Sequence, residues 1–210
     1  VLEQRRGRWA PIGFPWIIYQ DRVQTGGTSH YDVRQVNALA VSDTGIPRRT
    51  GTINSEHPAW SPNGLDYVWS ESNIVNSSHA IYRTVPNGLI ALRNVRDANS
   101  PTWSPDALRI VFDEFTLGTG GLPNATQIWV MNATDGGNPV QLTTTGSNFA
   151  PYWSPDGTKI VFTRYDGSQY DLWVMDANGG NQVNLTNTPG SHETSASWRW
   201  NLQTRHLCFG

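Results

Sequence analysis

Around four of the ten tryptophans the chain returns to one phrase. It reads Pro58-Ala59-Trp60-Ser61-Pro62-Asn63-Gly64, then Pro101-Thr102-Trp103-Ser104-Pro105-Asp106, then Pro151-Tyr152-Trp153-Ser154-Pro155-Asp156-Gly157, and last a worn copy, Ser195-Ala196-Ser197-Trp198. An earlier copy stands at Trp9-Ala10-Pro11-Ile12-Gly13. The tryptophans at 9, 60, 103, 153 and 198 are 51, 43, 50 and 45 residues apart. A period of that size, filled with short apolar runs and turn residues, predicts a β-propeller: an all-β ring of blades, each a small antiparallel sheet.

The copy beginning at Pro151 reads as a whole blade. An inner strand ends at Tyr152-Trp153. Ser154-Pro155-Asp156-Gly157 turns the chain, because proline presets φ and Asp and Gly suit the following turn positions. Ile160 and Phe162 then share one face of a second strand at period two. Asp171 to Met175 is a third strand, and Val183 to Thr186 an outer one. The apolar pair at seven and nine residues past the tryptophan recurs as Ile110 and Phe112, Tyr67 and Trp69, and Trp16 and Ile18. Outer strands are expected at Ile46 to Thr50, Leu89 to Arg93 and Val140 to Thr143. The reading is one domain of four complete four-stranded blades, over residues 1–52, 53–95, 96–145 and 146–189, with a partial fifth blade over 190–210. This fifth copy holds only two strands' worth of sequence. The expectation is therefore that the ring is completed by further residues or by another chain pairing with the open edge.

Composition narrows the function classes. The net charge of −2 offers no bulk attraction for nucleic acid, so no nucleic acid partner is expected. The single cysteine, Cys208, cannot form an internal disulfide. No apolar run approaches the roughly 18 residues that span a bilayer, so no membrane insertion is expected.

The combination Trp-Ser-Pro-Asp-Gly, Ile-x-Phe, Leu-Trp-Val-Met-Asp and a closing Leu-Thr, seen best in Pro151 to Thr186 and Pro101 to Thr143, resembles the TolB-type β-propeller repeat. The resemblance implies a propeller fold and a protein-binding module of the bacterial cell envelope, periplasmic or extracellular. Similar repeats also occur in polysaccharide lyases and in the gating propellers of prolyl-oligopeptidase-like enzymes. The six-bladed pattern and the separate N-terminal α/β domain of TolB itself are not matched here.

No catalytic grouping emerges from the residues. Ser61, Ser104 and Ser154 belong to the turn, and no Gly-x-Ser-x-Gly elbow presents a nucleophile. None of the five histidines stands in a metal-ligand spacing. No enzyme, cofactor or metal is therefore expected. An enzyme would instead gather His57, Glu56, His192 and Glu193 at the channel mouth. Asp135-Gly136-Gly137-Asn138 and Asn178-Gly179-Gly180-Asn181 read as hairpin turns rather than phosphate cradles. Sequence variation falls on one rim: the loops Gln24 to His30, Glu71 to Ser78, Thr116 to Thr126 and Gly167 to Gln169, and the links Ile53 to His57, Asp97 to Ser100, Gly146 to Phe149 and Gly190 to Thr194. Variation on one rim is the mark of loop-borne recognition. The expected partner is another protein chain, touching His57, Asn99, Phe149 and Glu193 at the channel mouth, Leu117 and Leu122 in the long loop, and Trp200. A glycan is the alternative partner, resting on Trp200 and surface asparagines.

Overall fold

The computed structural model describes residues 8–11, 15–25, 28–37, 39, 42–45, 53–73, 78–86, 88–95, 97–117, 125–194, 196 and 198. Every regular element among them is a β-strand. The first sheet comprises β1 (Arg8–Trp9), β2 (Trp16–Thr25), β3 (Thr28–Asn37) and β4 (Ser42–Gly45). The second comprises β5 (Ile53–Trp60), β6 (Tyr67–Asn73), β7 (Ser78–Val85) and β8 (Gly88–Val95). The third comprises β9 (Ala98–Trp103), β10 (Arg109–Thr116), β11 (Ala125–Asn132) and β12 (Val140–Gln141). The fourth comprises β13 (Ser147–Trp153), β14 (Lys159–Tyr165), β15 (Tyr170–Asp176) and β16 (Val183–Asn184). Each is an antiparallel meander in chain order, as short turns between neighbours require.

Alternation along the second strands explains why the sheets stack. In β10, Ile110 and Phe112 point one way and join Val68, Ile81 and Leu92 of the second sheet. Val111, between them, points the other way and joins Trp153, Ile160 and Phe162 of the fourth. A third cluster holds Ile18 and Val33 of the first sheet against Tyr67 and Trp69 of the second. Both faces of the middle sheets are therefore apolar, and each is covered by a neighbour. Fully burying one such side chain is worth roughly 1.5–3 kcal/mol.

The repeated turn builds the same bonds three times. The hydroxyls of Ser61, Ser104 and Ser154 donate to Asn63, Asp106 and Asp156 at 2.6, 2.5 and 2.6 Å. Each also accepts a backbone N–H from five residues on, at 3.0, 2.9 and 2.9 Å. These serines are buried and structural. Bonds from Ser154 and Thr158 hold the Asp156 carboxyl below its ordinary value. The motif tryptophans pack across sheets. Arg83 of the second sheet lies 5.2 Å from the Trp103 ring, and Arg109 of the third lies 4.7 Å from Trp153.

The structure corrects several boundaries. Ile53 to His57, Ala98 to Ser100 and Ser147 to Phe149 are not links but the first halves of inner strands β5, β9 and β13. Pro58, Pro101 and Pro151 each sit at a bulge inside the strand, where a missing N–H costs no ladder bond. The Gln24 to His30 segment enters strands on both sides, with β2 and β3 paired out to Thr25 and Thr28. In the first sheet the outer pairing runs over Ser42–Gly45, ahead of the expected Ile46 to Thr50, which lies outside the described residues. Of the partial fifth blade, only 190–194, 196 and 198 are described. Trp198 donates its indole N–H to the Tyr152 carbonyl at 3.2 Å, so it touches the fourth sheet.

The hairpin turn after β11 is seated against the sheet before it. Gly136 has φ +72°, and a Cβ there would stand 1.9 Å from the Leu92 carbonyl oxygen. Gly167 has φ +109°, with nothing within 4 Å of its would-be Cβ. Gly167→Ala should therefore cost only the left-handed strain, about 1–2 kcal/mol. Gly136→Ala should cost that plus roughly 1–3 kcal/mol of overpacking. Urea denaturation of the two variants checks this; equal losses would mean that the turn does not bear on Leu92.

Candidate functional site

The bulges of the inner strands put three residues in one unusual conformation. His57, Ser100 and Ala150 have φ of 52°, 49° and 50°, and each stands three residues before its motif tryptophan. Each also precedes a proline, which restricts its backbone further. Left-handed backbone at non-glycine positions costs of order 1–3 kcal/mol and persists only where its surroundings hold it. Side chains of the second strands do the holding. Ser70 and Asp113 stand at one register position, ten residues past Trp60 and Trp103. Each reaches the inner strand of the next sheet. The Ser70 hydroxyl lies 2.5 Å from Asn99 Oδ1, which also accepts the Ser100 N–H at 3.0 Å. Asp113 Oδ2 accepts the Ala150 N–H at 3.0 Å. These rungs lock one bulge to the next.

Around them lies a set of polar groups. His57 Nδ1 is 3.4 Å from Ser70 Oγ. Glu56 accepts from Gln20 of the first sheet at 3.4 Å. Burial raises the Glu56 carboxyl above its ordinary value, opposed by His79 and by the Gln20 bond. His79 Nδ1 is 3.0 Å from Asp97 Oδ1. Asp113 is buried, and that burial pushes its carboxyl up to about 6 against the bonds from Ala150 and Ser100.

The sequence-derived site residues are distributed as follows. His57, Asn99 and Phe149 lie on adjacent sheets at the bulged ends of β5, β9 and β13. The Asn99 carbonyl oxygen is engaged internally, and His57 is half-buried, so each presents less of itself than the sequence suggested. Phe149 packs on Tyr170 of β15 with centroids 6.4 Å apart. Glu193 is tied by its N–H to the Tyr170 carbonyl at 2.8 Å, beside His192. Leu117 is 64% exposed at the start of the long loop. Leu122 and Trp200 lie outside the described residues. Glu56 and His57 lie in β5 of the second sheet, whereas His192 and Glu193 follow the last strand of the fourth and bond to the backbone of Tyr170, so each pair has its own partners. Among the described residues no three His, Cys, Asp or Glu side chains are grouped to hold a metal ion. Ser70, Asp113, Tyr165 and Tyr170 were missed from the sequence. Asp113 carried a signal: a carboxylate directly after the Ile-x-Phe pair, at the position Ser70 and Thr163 occupy in the neighbouring copies.

Four-stranded antiparallel meanders stacked face to face are the arrangement of a β-propeller. The TolB beta propeller domain model matches residues 86–209, more than half of the sequence, and the chain belongs to that family. Its fold is similar to that of a TolB from Agrobacterium tumefaciens, with TM-score 0.66 and 22% identity over 81% of this chain and 60% of that one. It is similar too to an oligogalacturonate lyase solved with manganese, with TM-score 0.63 and 16% identity over 90% of this chain and 55% of that one. The propeller domain of a trilobed protease from Pyrococcus furiosus gives TM-score 0.57 and 13% identity over 87% of this chain and 58% of that one. The chain thus spans 55–60% of the length of these three. No curated protein matches the sequence.

Asp113 allows a direct test of the axial rung. Its folded carboxyl, near 6, lies above the 3.8 of an unhindered one. The folded state therefore holds the proton more tightly, so the favourable contribution is complete below about pH 4 and is lost as pH rises through about 6. The loss is on the order of 3 kcal/mol. Asp113→Asn keeps an acceptor for the Ala150 N–H and carries no charge. We expect it to be more stable than the parent above pH 6, with the difference vanishing near pH 4, in urea melts across that range. Parallel curves would show that Asp113 is solvated.

Proposed function

We propose that this chain is a protein-binding β-propeller module, not an enzyme, acting as a subunit or scaffold in the bacterial envelope or outside the cell. The observation that carries the reading is the convergence of β5, β9 and β13. These inner strands lie side by side, with His57, Asn99 and Phe149 at or next to their bulges, and on this reading the three residues share one partner-facing end. A partner seated there touches several blades at once, and the long loop beginning at Leu117 and the Glu193 segment extend the contact. Affinity at such a surface comes from a few desolvated anchors within a polar rim. Membership of the TolB propeller family supports export and a protein partner. Among the described residues no helix is long and apolar enough to cross a membrane.

The alternative, a lyase or hydrolase propeller, is favoured only by the enzymes among the similar structures, and it makes a separate demand: His57→Ala should abolish turnover of a polysaccharide or peptide substrate. For the binding module, p-benzoylphenylalanine in place of Phe149 or Leu117 should photo-cross-link one envelope or secreted protein of the source cells at both positions. Replacing residues 116–126 by a short glycine-containing turn should weaken capture of that protein about tenfold or more while the thermal melt is kept. Cross-links confined to the opposite face, with its repeated turns, would move the site and end this reading.

A further inference from the structure

We infer that the outer half of one face of the fourth sheet docks a glycine-turned β-hairpin of a partner protein, with the turn seated on Leu185. This surface is distinct from the loop ends that carry Phe149 and Leu117. The chain itself displays such a contact twice. Gly136, in the turn between β11 and β12, has φ +72°, and a Cβ there would stand 1.9 Å from the Leu92 carbonyl oxygen. Gly179, in the turn between β15 and β16, has φ +89°, and a Cβ there would stand 2.8 Å from the Leu142 carbonyl oxygen. Gln182, just past that turn, donates from Nε2 to the same carbonyl at 3.3 Å. Leu92 and Leu142 are both buried. Each is thus covered by a hairpin turn of the following sheet.

Leu185 is built as Leu142 is. The Leu142 N–H donates to the Ile128 carbonyl at 2.7 Å, and the Ile128 N–H to Thr143 Oγ1 at 2.9 Å. The Leu185 N–H donates to the Leu172 carbonyl at 2.8 Å, and the Leu172 N–H to Thr186 Oγ1 at 3.1 Å. The bonds match, yet Leu142 is 8% exposed and Leu185 55%. Ile128 and Val130 are buried, whereas Leu172 and Val174, at the same register positions, are half-buried. The difference is confined to the outer half of the face. Val161 and Thr163 are buried as Val111 and Asp113 are. Val183 is as exposed as Val140, two residues before each leucine, so the covered patch ends at the leucine.

What covers Leu142 defines the occupant. Met175 shares its cluster, Ala177 packs against that cluster, and Gly179 closes the contact. Met131, Ala133 and Gly136 repeat the order against Leu92. Glycine is required at the close approach, because any Cβ would meet the leucine backbone, and only glycine takes the left-handed conformation without strain. A helix presents side chains over its whole surface and cannot bring its backbone so near. The matching occupant is a strand end with a large and then a small apolar residue, followed by a glycine turn. The 210 residues hold two Asx-Gly-Gly turns, at 135–137 and 178–180, and both are seated on this chain's own leucines. The third leucine is therefore assigned to a hairpin of a partner protein. A contiguous apolar patch of Leu172, Val174 and Leu185 left in contact with water is what such a partner would cover.

The test places p-benzoylphenylalanine at Val183, beside the leucine, in the whole protein. It is cross-linked in the source cells and the joined peptides are mapped by mass spectrometry. The expected product contains a second polypeptide, joined within a few residues of a glycine in a hairpin turn. Leu185→Asp should lower its yield about tenfold or more. Leu185 is exposed, so the thermal melt of that variant should be kept. Val140→Asp, an equally exposed change outside the patch, should alter neither yield nor melt. Replacing the mapped glycine of the partner by alanine should weaken capture by a similar factor. A cross-link to a hairpin of this same polypeptide would show that the leucine is covered from within the chain. A cross-link to a helix or to a segment without a glycine turn, or a yield unchanged by Leu185→Asp, would make this another kind of surface. No second polypeptide at all would leave Leu185 facing solvent. Each of these three results overturns the inference, and none of them touches cross-links made from Phe149 or Leu117.

Discussion

Each middle sheet of this chain has two apolar faces, and the whole architecture depends on covering both. A lone four-stranded meander can bury only one face against a core. Here Ile110 and Phe112 look back to the second sheet while Val111 looks forward to the fourth, so a single strand serves two cores. The large tryptophans make this stacking specific. Trp103 and Trp153 are nearly buried, and each carries an arginine of the preceding sheet near its ring. Shape and a cation therefore select the neighbour, beyond simple burial. Two close approaches sharpen the fit: Gly136 against Leu92, and Gly179 against Leu142.

At His57-Pro58, Ser100-Pro101 and Ala150-Pro151 the inner strand kinks, and the strand beyond it continues toward the loop side. The kink needs left-handed backbone at residues that disfavour it. The bonds from Ser70 and Asp113 supply the compensation, one sheet at a time. Asp113 does so at a cost, since its carboxyl is buried against neutral donors. The strained backbone and the buried carboxyl therefore belong to one set of contacts between successive inner strands.

A group of rings lies at the loop end of the fourth sheet, outside the clusters between sheets. Tyr165, Tyr170, Phe149 and His192 contribute little to the clusters between sheets, yet their loop is tied down by Asp166 and Gln169. Phe149, Tyr165 and Tyr170 are half-buried and His192 is exposed, so these rings form an ordered, partly solvent-facing loop end.

Much of this was legible in the residues alone. The tryptophan period specified repeated four-stranded units, and Ser-Pro-Asp specified a turn whose hydroxyl and carboxylate bonds recur almost without change. Both are local: an amide five residues away is within reach whatever the rest of the chain does. What the sequence could not decide is non-local. The segments ahead of Pro58, Pro101 and Pro151 read as links between blades, and only the strand pairing shows that they are strand, with each proline at a bulge. Asp113 read as one more polar residue on a strand, and only the arrival of Ala150 from a segment 37 residues away makes it a buried rung. Tyr165 and Tyr170 are five residues apart in an ordinary hairpin, but Phe149 and His192 reach them from either side only in the folded sheet. Repetition along the chain determined the element types and their order; contacts between the repeats decided which of the variable residues meet at one surface.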